Sequence, residues 1–467
     1  MDRVAHLGGY VMSNATGTRM PVAVVGGGYA GMAAAVTLAE AGVGCIVFEA
    51  GKTLGGRARR IEYRGEVLDN GQHILAGAYT ELLRLMRRVG VPDSALRRLP
   101  LRISIPPDFF LQAPRTALIP GAMHLAWALL TARGLSLSDK FAAIRFMRAL
   151  KRTNFRVDAS KSVAVLLEEL RQPQNLIDHL WQPLTISALN TPLTSASARV
   201  FANVLRDSLA ATPEASDLLL PCVDLTSLFP GPAAAWLALR GGEVRPGMRI
   251  KQIIAEDDHY KIISQSDSQL CAGVIIAVGP HQLDGLMSGV ASPAVRFEPI
   301  VTVYFKFDQR VRLSEVMSGQ IRGLAQWFFD RQALNDMRHV RHSHTPNDTS
   351  RNDDGGLIAA VISASGPHEL LSQEQLAERV FAELQERIPD LPRPVWKKVV
   401  TEKYATFAAT PEADRPPAAT CYPGVFRAGD YVTGDYPATL EGAVRNGIFA
   451  AEATIAYLRT SSSQSTK

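Results

Sequence analysis

The chain has 467 residues, 46% of them hydrophobic and 20% charged. That length exceeds one ordinary core and predicts two intertwined domains, while the composition excludes global disorder. The formal charge of +5, from 50 Lys and Arg against 45 Asp and Glu, is too small a surplus to imply nucleic acid, and none is expected as a partner. Four cysteines, Cys45, Cys222, Cys271 and Cys421, stand far apart with no CxxC pair and no histidine at ligand spacing, so neither a disulfide framework nor a metal site is expected. All four are read as free thiols in a reducing compartment, Cys421 as a buried thiol beside a strand rather than a covalent tether, so any bound group is expected to be held noncovalently.

In chain order, residues 1–19 lack the apolar run of a secretory signal, and no later stretch reaches the length of a membrane-spanning helix, which predicts a cytoplasmic protein whose folded part begins near Met20. Residues 21–25 read as a β-rich strand that runs into Gly26-Gly27-Gly28-Tyr29-Ala30-Gly31 and then an alanine-rich helix over 32–41. Gly26 permits the turn, Gly28 admits a pyrophosphate to the backbone, and Gly31 lets helix and strand pack closely, with Tyr29 and Ala30 at the positive helix end. A second strand over 44–48 leads to Glu49 and Ala50, where an acidic side chain meets ribose hydroxyls. These residues predict a dinucleotide site and leave NAD and FAD both open. No second glycine turn of this kind is present, so a built-in nicotinamide site is not expected and the electrons come from an external donor.

Two basic clusters follow, Arg84 to Arg102 and Lys140 to Arg156, the second after an apolar segment over 118–130. That segment is too short to span a bilayer. Two readings stay open for it: contact with the inner face of the cytoplasmic membrane, or an ordinary buried helix with a solvated flank. Residues 342–356, ending in Gly355-Gly356, predict a surface loop, and 460–467 a frayed tail.

Past Glu49, Gly55-Gly56-Arg57, a hairpin over 58–68, a strand carrying Arg249 and Ile250, an apolar strand near 274–280, Ala428-Gly429-Asp430 and a helix opening at Thr439-Leu440-Glu441-Gly442-Ala443 resemble flavoproteins of the amine oxidase and phytoene desaturase superfamily. The resemblance implies FAD. It implies that Gly56 and Arg57 reach the diphosphate, that the Ile250 backbone meets the adenine, and that Gly429 and Asp430 meet the ribityl chain. Amides around Leu440, Glu441 and Ala443 would face the flavin ring, and Gly71, Gln72 and His73 would lie beside it. The implied fold is α/β, a Rossmann-like FAD-binding domain with an interleaved α+β substrate domain, as in amine oxidases and the dissociation-inhibitor relatives. Residues 20–100, 229–295 and 408–460 would form the FAD domain, and 101–228 and 296–407 the substrate domain.

Within that superfamily, residues 68–79, 188–192, 216–221, 223–225 and 405–411 are similar to hydroxysqualene dehydroxylases, with Cys222 standing where a basic residue is more usual. This implies reductive dehydroxylation of a C30 isoprenoid in squalene and hopanoid synthesis, with acid-assisted loss of water and hydride delivery from reduced flavin. His73, Asp224 and Tyr404 are the candidate proton donors. Each has a plain structural reading as well: a core hydrogen bond, a helix N-cap before residues 225–228, and packing. An oxidative polyene desaturase is the main alternative, a polar-caged amine oxidase ranks third, and a prenyl-binding protein without flavin is a further one.

Overall fold

A computed structural model describes residues 20–114, 123–334 and 355–464. Its central element is a five-stranded parallel sheet in the order Glu243–Pro246, Cys45–Glu49, Val22–Val25, Gly273–Ile276, Val425–Arg427. The strand Val22–Val25 is buried on both faces, as an unbroken apolar run in the middle of a parallel sheet must be. Helix Tyr29–Glu40 covers one face, and helix Leu440–Gln464 packs against it. Their approach is close because small residues meet: a methyl group at Gly447 would lie 2.1 Å from the carbonyl oxygen of Ala30.

The hairpin Arg60–Tyr63 with Glu66–Asp69 turns through Arg64 and Gly65, both at positive φ. A three-stranded meander, Gln252–Ala255, Tyr260–Ile263 and Ser268–Cys271, sits between strands of the parallel sheet. A second five-stranded sheet is antiparallel, in the order Met317–Gly319, Trp327–Asp330, Leu357–Ser363, Phe297–Lys306, Trp396–Phe407. Helix Gln373–Arg387 covers its outer face with Leu376, Val380, Phe381 and Leu384. The largest core cluster runs from Phe48 and Ile276 of the first sheet to Tyr304 and Phe329 of the second.

Several expectations need correction. The strand expected to carry Arg249 and Ile250 stops at Pro246, because Gly247 turns at φ 76°, and residues 247–250 run as a connection to the meander. Gly355 and Gly356 are buried, not looped out: Gly356 exchanges both backbone hydrogen bonds with Phe307, and a methyl at Gly355 would meet the Phe307 carbonyl at 1.8 Å. Cys421 is exposed on the turn before Val425–Arg427, with Sγ 3.8 Å from the Gly289 carbonyl. The carboxy-terminal helix continues to Gln464, so no frayed end begins at Thr460. Residues 1–19, the start of the 118–130 segment and the loop 342–354 lie outside the described residues. No helix among the described residues is long and apolar enough to cross a membrane.

Candidate functional site

Gly26 leaves the first strand at φ 116°, where a methyl would meet the Ala277 carbonyl at 2.5 Å, and at Gly31 a methyl would lie 1.9 Å from the Gly26 carbonyl. Both positions are therefore closed to any side chain. Gly28 heads helix Tyr29–Glu40, with no side-chain cap on the first amides. The second glycine turn lies against the first: Gly55 N–H donates to the Gly27 carbonyl at 2.9 Å, and Gly28 and Gly55 form a parallel bridge. Around Gly28 a methyl would find nothing nearer than Gly56 Cα at 3.8 Å. This is side-chain-free space at a positive helix end, the chemistry that suits a diphosphate. Tyr29 and Ala30 offer only backbone there, since the Tyr29 hydroxyl donates to the Leu225 carbonyl at 2.7 Å and Ala30 lies buried under Gly447.

Glu49 ends the second strand with one carboxylate oxygen accepting from Gly27 N–H and the other from Gly51 N–H, each at 2.7 Å. A carboxylate has about four acceptor positions, so two stay available to ribose hydroxyls. The exposed Ala50 follows. Ile250 is brought alongside because Gly247 and Met248 N–H donate to the Gly51 and Glu49 carbonyls.

The two chain ends meet through one arginine. Arg57 follows Gly56, and its Nη2 donates to Asp430 Oδ1 at 2.5 Å, while Nη1 donates to the carbonyls of Tyr404 and Ala405 at 3.1 and 2.8 Å. Burial works against the guanidinium charge, and the Asp430 carboxylate outweighs it, so the Arg57 pKa is raised. Asp430 is buried and follows Gly429, at φ 155°, where a methyl would meet the Tyr431 ring at 2.7 Å. Arg415, absent from the sequence reading, braces the same loop by donating to the Asp430 and Val432 carbonyls, and burial lowers its pKa to about 10. The helix opening at Leu440 has its Gly442 N–H taken by the Thr439 hydroxyl. Glu441 turns away, its carboxylate accepting from Glu81 and Leu82 N–H at the start of helix Thr80–Arg88 and pairing with Arg445 at 2.7 Å. Only the backbone of Leu440, Glu441 and Ala443 is thus left for a ligand at that end.

Residues 69–73 close the site from the side of the second sheet. Gly71 lies beside Thr302, whose hydroxyl also takes Gln72 N–H at 3.4 Å, and Gln72 Oε1 accepts from Arg331. His73 Nδ1 is 2.9 Å from the Gly71 carbonyl, which can only accept, so Nδ1 carries the proton and Nε2 is the basic nitrogen. Burial lowers the His73 pKa, the Gly71 bond opposes this, and the Arg57 charge adds to the lowering. The other two donor candidates are placed differently. Asp224 caps residues 225–228, accepting from Ser227 N–H at 2.9 Å and its hydroxyl at 2.6 Å. Tyr404 is exposed, stacked on His281 at 4.5 Å and edge-on to Phe297.

Sequence reasoning missed Asp69. It is buried, accepts from Leu225 N–H at 2.8 Å, and lies 3.5 Å from Arg331; the Tyr304 hydroxyl donates to its carbonyl. Burial pushes its pKa up to about 6, against the lowering effects of Arg331 and the Leu225 bond. Its place at the end of the hairpin, beside the buried Leu68, was the available signal. Nothing near Arg331 in sequence pointed to it.

The segments that look alike in dehydroxylases are joined in pairs. Asn190 Nδ2 donates to Thr406 Oγ1 at 2.9 Å, Thr191 Oγ1 accepts from Ala409 N–H, and strand Leu218–Pro221 pairs with Leu75–Ala76.

Comparison with known proteins agrees with this geometry. A hydroxysqualene dehydroxylase from Zymomonas mobilis subsp. mobilis is 28% identical over 451 residues, covering 93% of this chain and 99% of that protein. A zeta-carotene desaturase from a Synechocystis species is 24% identical, covering 94% and 97%. Among solved structures, an oxidoreductase from Methanosarcina mazei superposes with a TM-score of 0.69 at 14% identity, covering 93% of this chain and all of that one. The model of the flavin containing amine oxidoreductase family matches residues 29–455, and with the two glycine turns, Glu49, Arg57 and Asp430 gathered at one place this chain belongs to that family and is an FAD-dependent oxidoreductase.

Proposed function

We propose that this chain removes the hydroxyl group of hydroxysqualene reductively, giving squalene. The observation that carries the reading is the joining of 68–79 with 216–221 and 223–225, and of 188–192 with 405–411, the segments similar to dehydroxylases. The full-length similarity to a named dehydroxylase supports it. In this reading residues 20–100, 229–295 and 408–460 hold the cofactor, and 101–228 and 296–407 shape the substrate site.

The glycine turns and helix Tyr29–Glu40 hold the diphosphate, Glu49 the ribose and Asp430 the ribityl chain. When bound and reduced, FAD supplies the hydride that replaces the departing oxygen. Hydroxide is a poor leaving group, so the C–O bond breaks as a proton arrives and the oxygen departs as water. His73 is the donor we assign, because Asp224 is committed to a cap and Tyr404 faces outward. Its bare Nε2 must first take up a proton, and its depressed pKa makes that form scarce at neutral pH. The buried aromatic and aliphatic side chains between the sheets exclude water from the allylic cation.

The test is anaerobic incubation of photoreduced protein with hydroxysqualene, followed by product analysis across pH. Squalene with reoxidised flavin, formed faster toward acid pH, is expected. The zeta-carotene desaturase relative supplies a second reading, oxidative desaturation of a polyene. Desaturation by the oxidised protein with no dehydroxylation would replace the first reading by the second.

A further inference from the structure

Large apolar side chains exposed to solvent are unevenly distributed. Met123 is 63% exposed, Trp127 52%, Leu130 45%, Leu137 69% and Phe141 61%, all within one pair of consecutive helices, Met123–Thr131 and Leu137–Arg152. On the first helix Met123, Trp127 and Leu130 follow the i, i+4, i+7 spacing of a single face, opposite the buried His124 and Ala128. On the second helix Leu137 and Phe141 open a stripe that continues through Arg145, Arg148 and Arg152, with Lys151 beside it, all exposed. One helix face is thus apolar at its amino-terminal end and cationic at its carboxy-terminal end.

This charge has no acidic partner among the described residues, and of the four cations Arg145 donates to the Arg171 carbonyl at 3.4 Å. In the earlier arginine cluster, Arg84, Arg88, Arg98 and Arg102 pair with Glu81, Glu40, Asp217 and Glu315. Among the described residues no carboxylate pairs with Arg145, Arg148, Lys151 or Arg152, and the helix's own acid, Asp139, is buried in a capping box with Ser136 and held by Asn175. The pair is also rigid, since the buried Lys140 donates to the Leu130 carbonyl at 2.8 Å and ties the second helix to the end of the first.

We propose that these two helices seat the chain on an anionic bilayer surface, with Met123, Trp127, Leu130, Leu137 and Phe141 in the acyl boundary and Arg145, Arg148, Lys151 and Arg152 among phosphate headgroups. At about 1.5 Å of rise per residue, the basic side chains stand roughly 6 to 16 Å along the axis from Phe141, which matches the depth between acyl boundary and headgroup phosphates when the helix is inclined. Unpaired cations next to an apolar tip suit anionic lipid better than a second protein copy, whose matching face would bring the same cations together. The inference rests on this surface and not on the choice of isoprenoid substrate.

The test is sedimentation of the flavin-loaded full chain with phosphatidylcholine vesicles, with and without phosphatidylglycerol. Wild type is expected to bind the anionic vesicles and to be released by salt. The double substitution W127S with F141S should weaken binding about tenfold or more, at unchanged flavin absorbance and unchanged thermal midpoint. Replacing Arg145, Arg148, Lys151 and Arg152 by Gln should cost about fivefold per residue and abolish the preference for phosphatidylglycerol. Equal binding by wild type and both variants, or none by wild type, overturns the proposal. So does concentration-dependent dimerisation that is lost in W127S/F141S while vesicles are ignored, because it identifies a second copy as the occupant. Vesicle binding without squalene formation would remove the substrate assignment and leave this surface standing.

Discussion

Asp69 is ionisable in a place where ionisation is costly. Its pKa rises on folding from 3.8 to about 6, so the native state holds a proton that the unfolded chain has released across that interval. The sign follows: this contribution to stability is fully present below pH 3.8 and is lost as pH climbs through about 6. Relative to Asp69→Asn, which keeps an acceptor for Leu225 N–H, wild type should lose up to about 3 kcal/mol of unfolding free energy over that window, at 1.36 kcal/mol per pKa unit. Parallel denaturant titrations of the two proteins would reveal it, and identical pH profiles would refute it. Asp430 offers a second measurement. Replacing it with Ala removes a buried charged acceptor and strands Arg57, so FAD affinity should fall about tenfold to a hundredfold, read as flavin bound per chain after dialysis. At this scale the sequence disclosed residues that act through backbone or local geometry, such as Gly26, Gly28 and the Asp224 cap. It hid Asp69 and Arg331, because their partners lie hundreds of positions away, and Arg415, whose backbone partners around Asp430 are set by a loop fold that no short pattern marks.

Elements were legible where a short pattern carried its own punctuation. The strand Val22–Val25, its glycine turn and its helix needed nothing beyond local sequence, and the hairpin expected over 58–68 forms from Arg60–Tyr63 and Glu66–Asp69. Ile250 was misplaced because an apolar residue after a strand looks like more strand unless Gly247 is recognised as its end. Gly355-Gly356 was mistaken for loop because the polar residues before it dominate the window, whereas the chain there is pairing with Phe307. The contact between helices Tyr29–Glu40 and Leu440–Gln464 yields a prediction in which two effects compete. Gly447→Ala gains about 1 kcal/mol in helix propensity, but its methyl would sit 2.1 Å from the Ala30 carbonyl, and such overpacking costs typically 1–3 kcal/mol or more. Steric cost should win, lowering the thermal midpoint and loosening the flavin, since Ala30 belongs to the turn proposed to cradle the diphosphate. A midpoint above that of wild type would show that the helices separate freely.

At the scale of the molecule, the parallel sheet takes strands from the beginning, middle and end of the chain, and the resemblance to flavoproteins foretold this interleaving better than any periodicity did. Periodicity finds strands, but not which distant strand will lie beside which. A chain ended before Val425 would keep both glycine turns and Glu49 yet lack Asp430 and the helix that packs on Tyr29–Glu40. It should purify colourless, and a yellow truncated protein would mean that the residues before Val425 suffice to hold the cofactor.

The placement of Val425–Arg427 at the sheet edge beside Gly273–Ile276 also orders events in time. On the ribosome the first glycine turn emerges long before helix Leu440–Gln464, so helix Tyr29–Glu40 waits for the partner that packs against it. Until that helix has been made, the nascent chain presents an apolar helix face that chaperones can recognise.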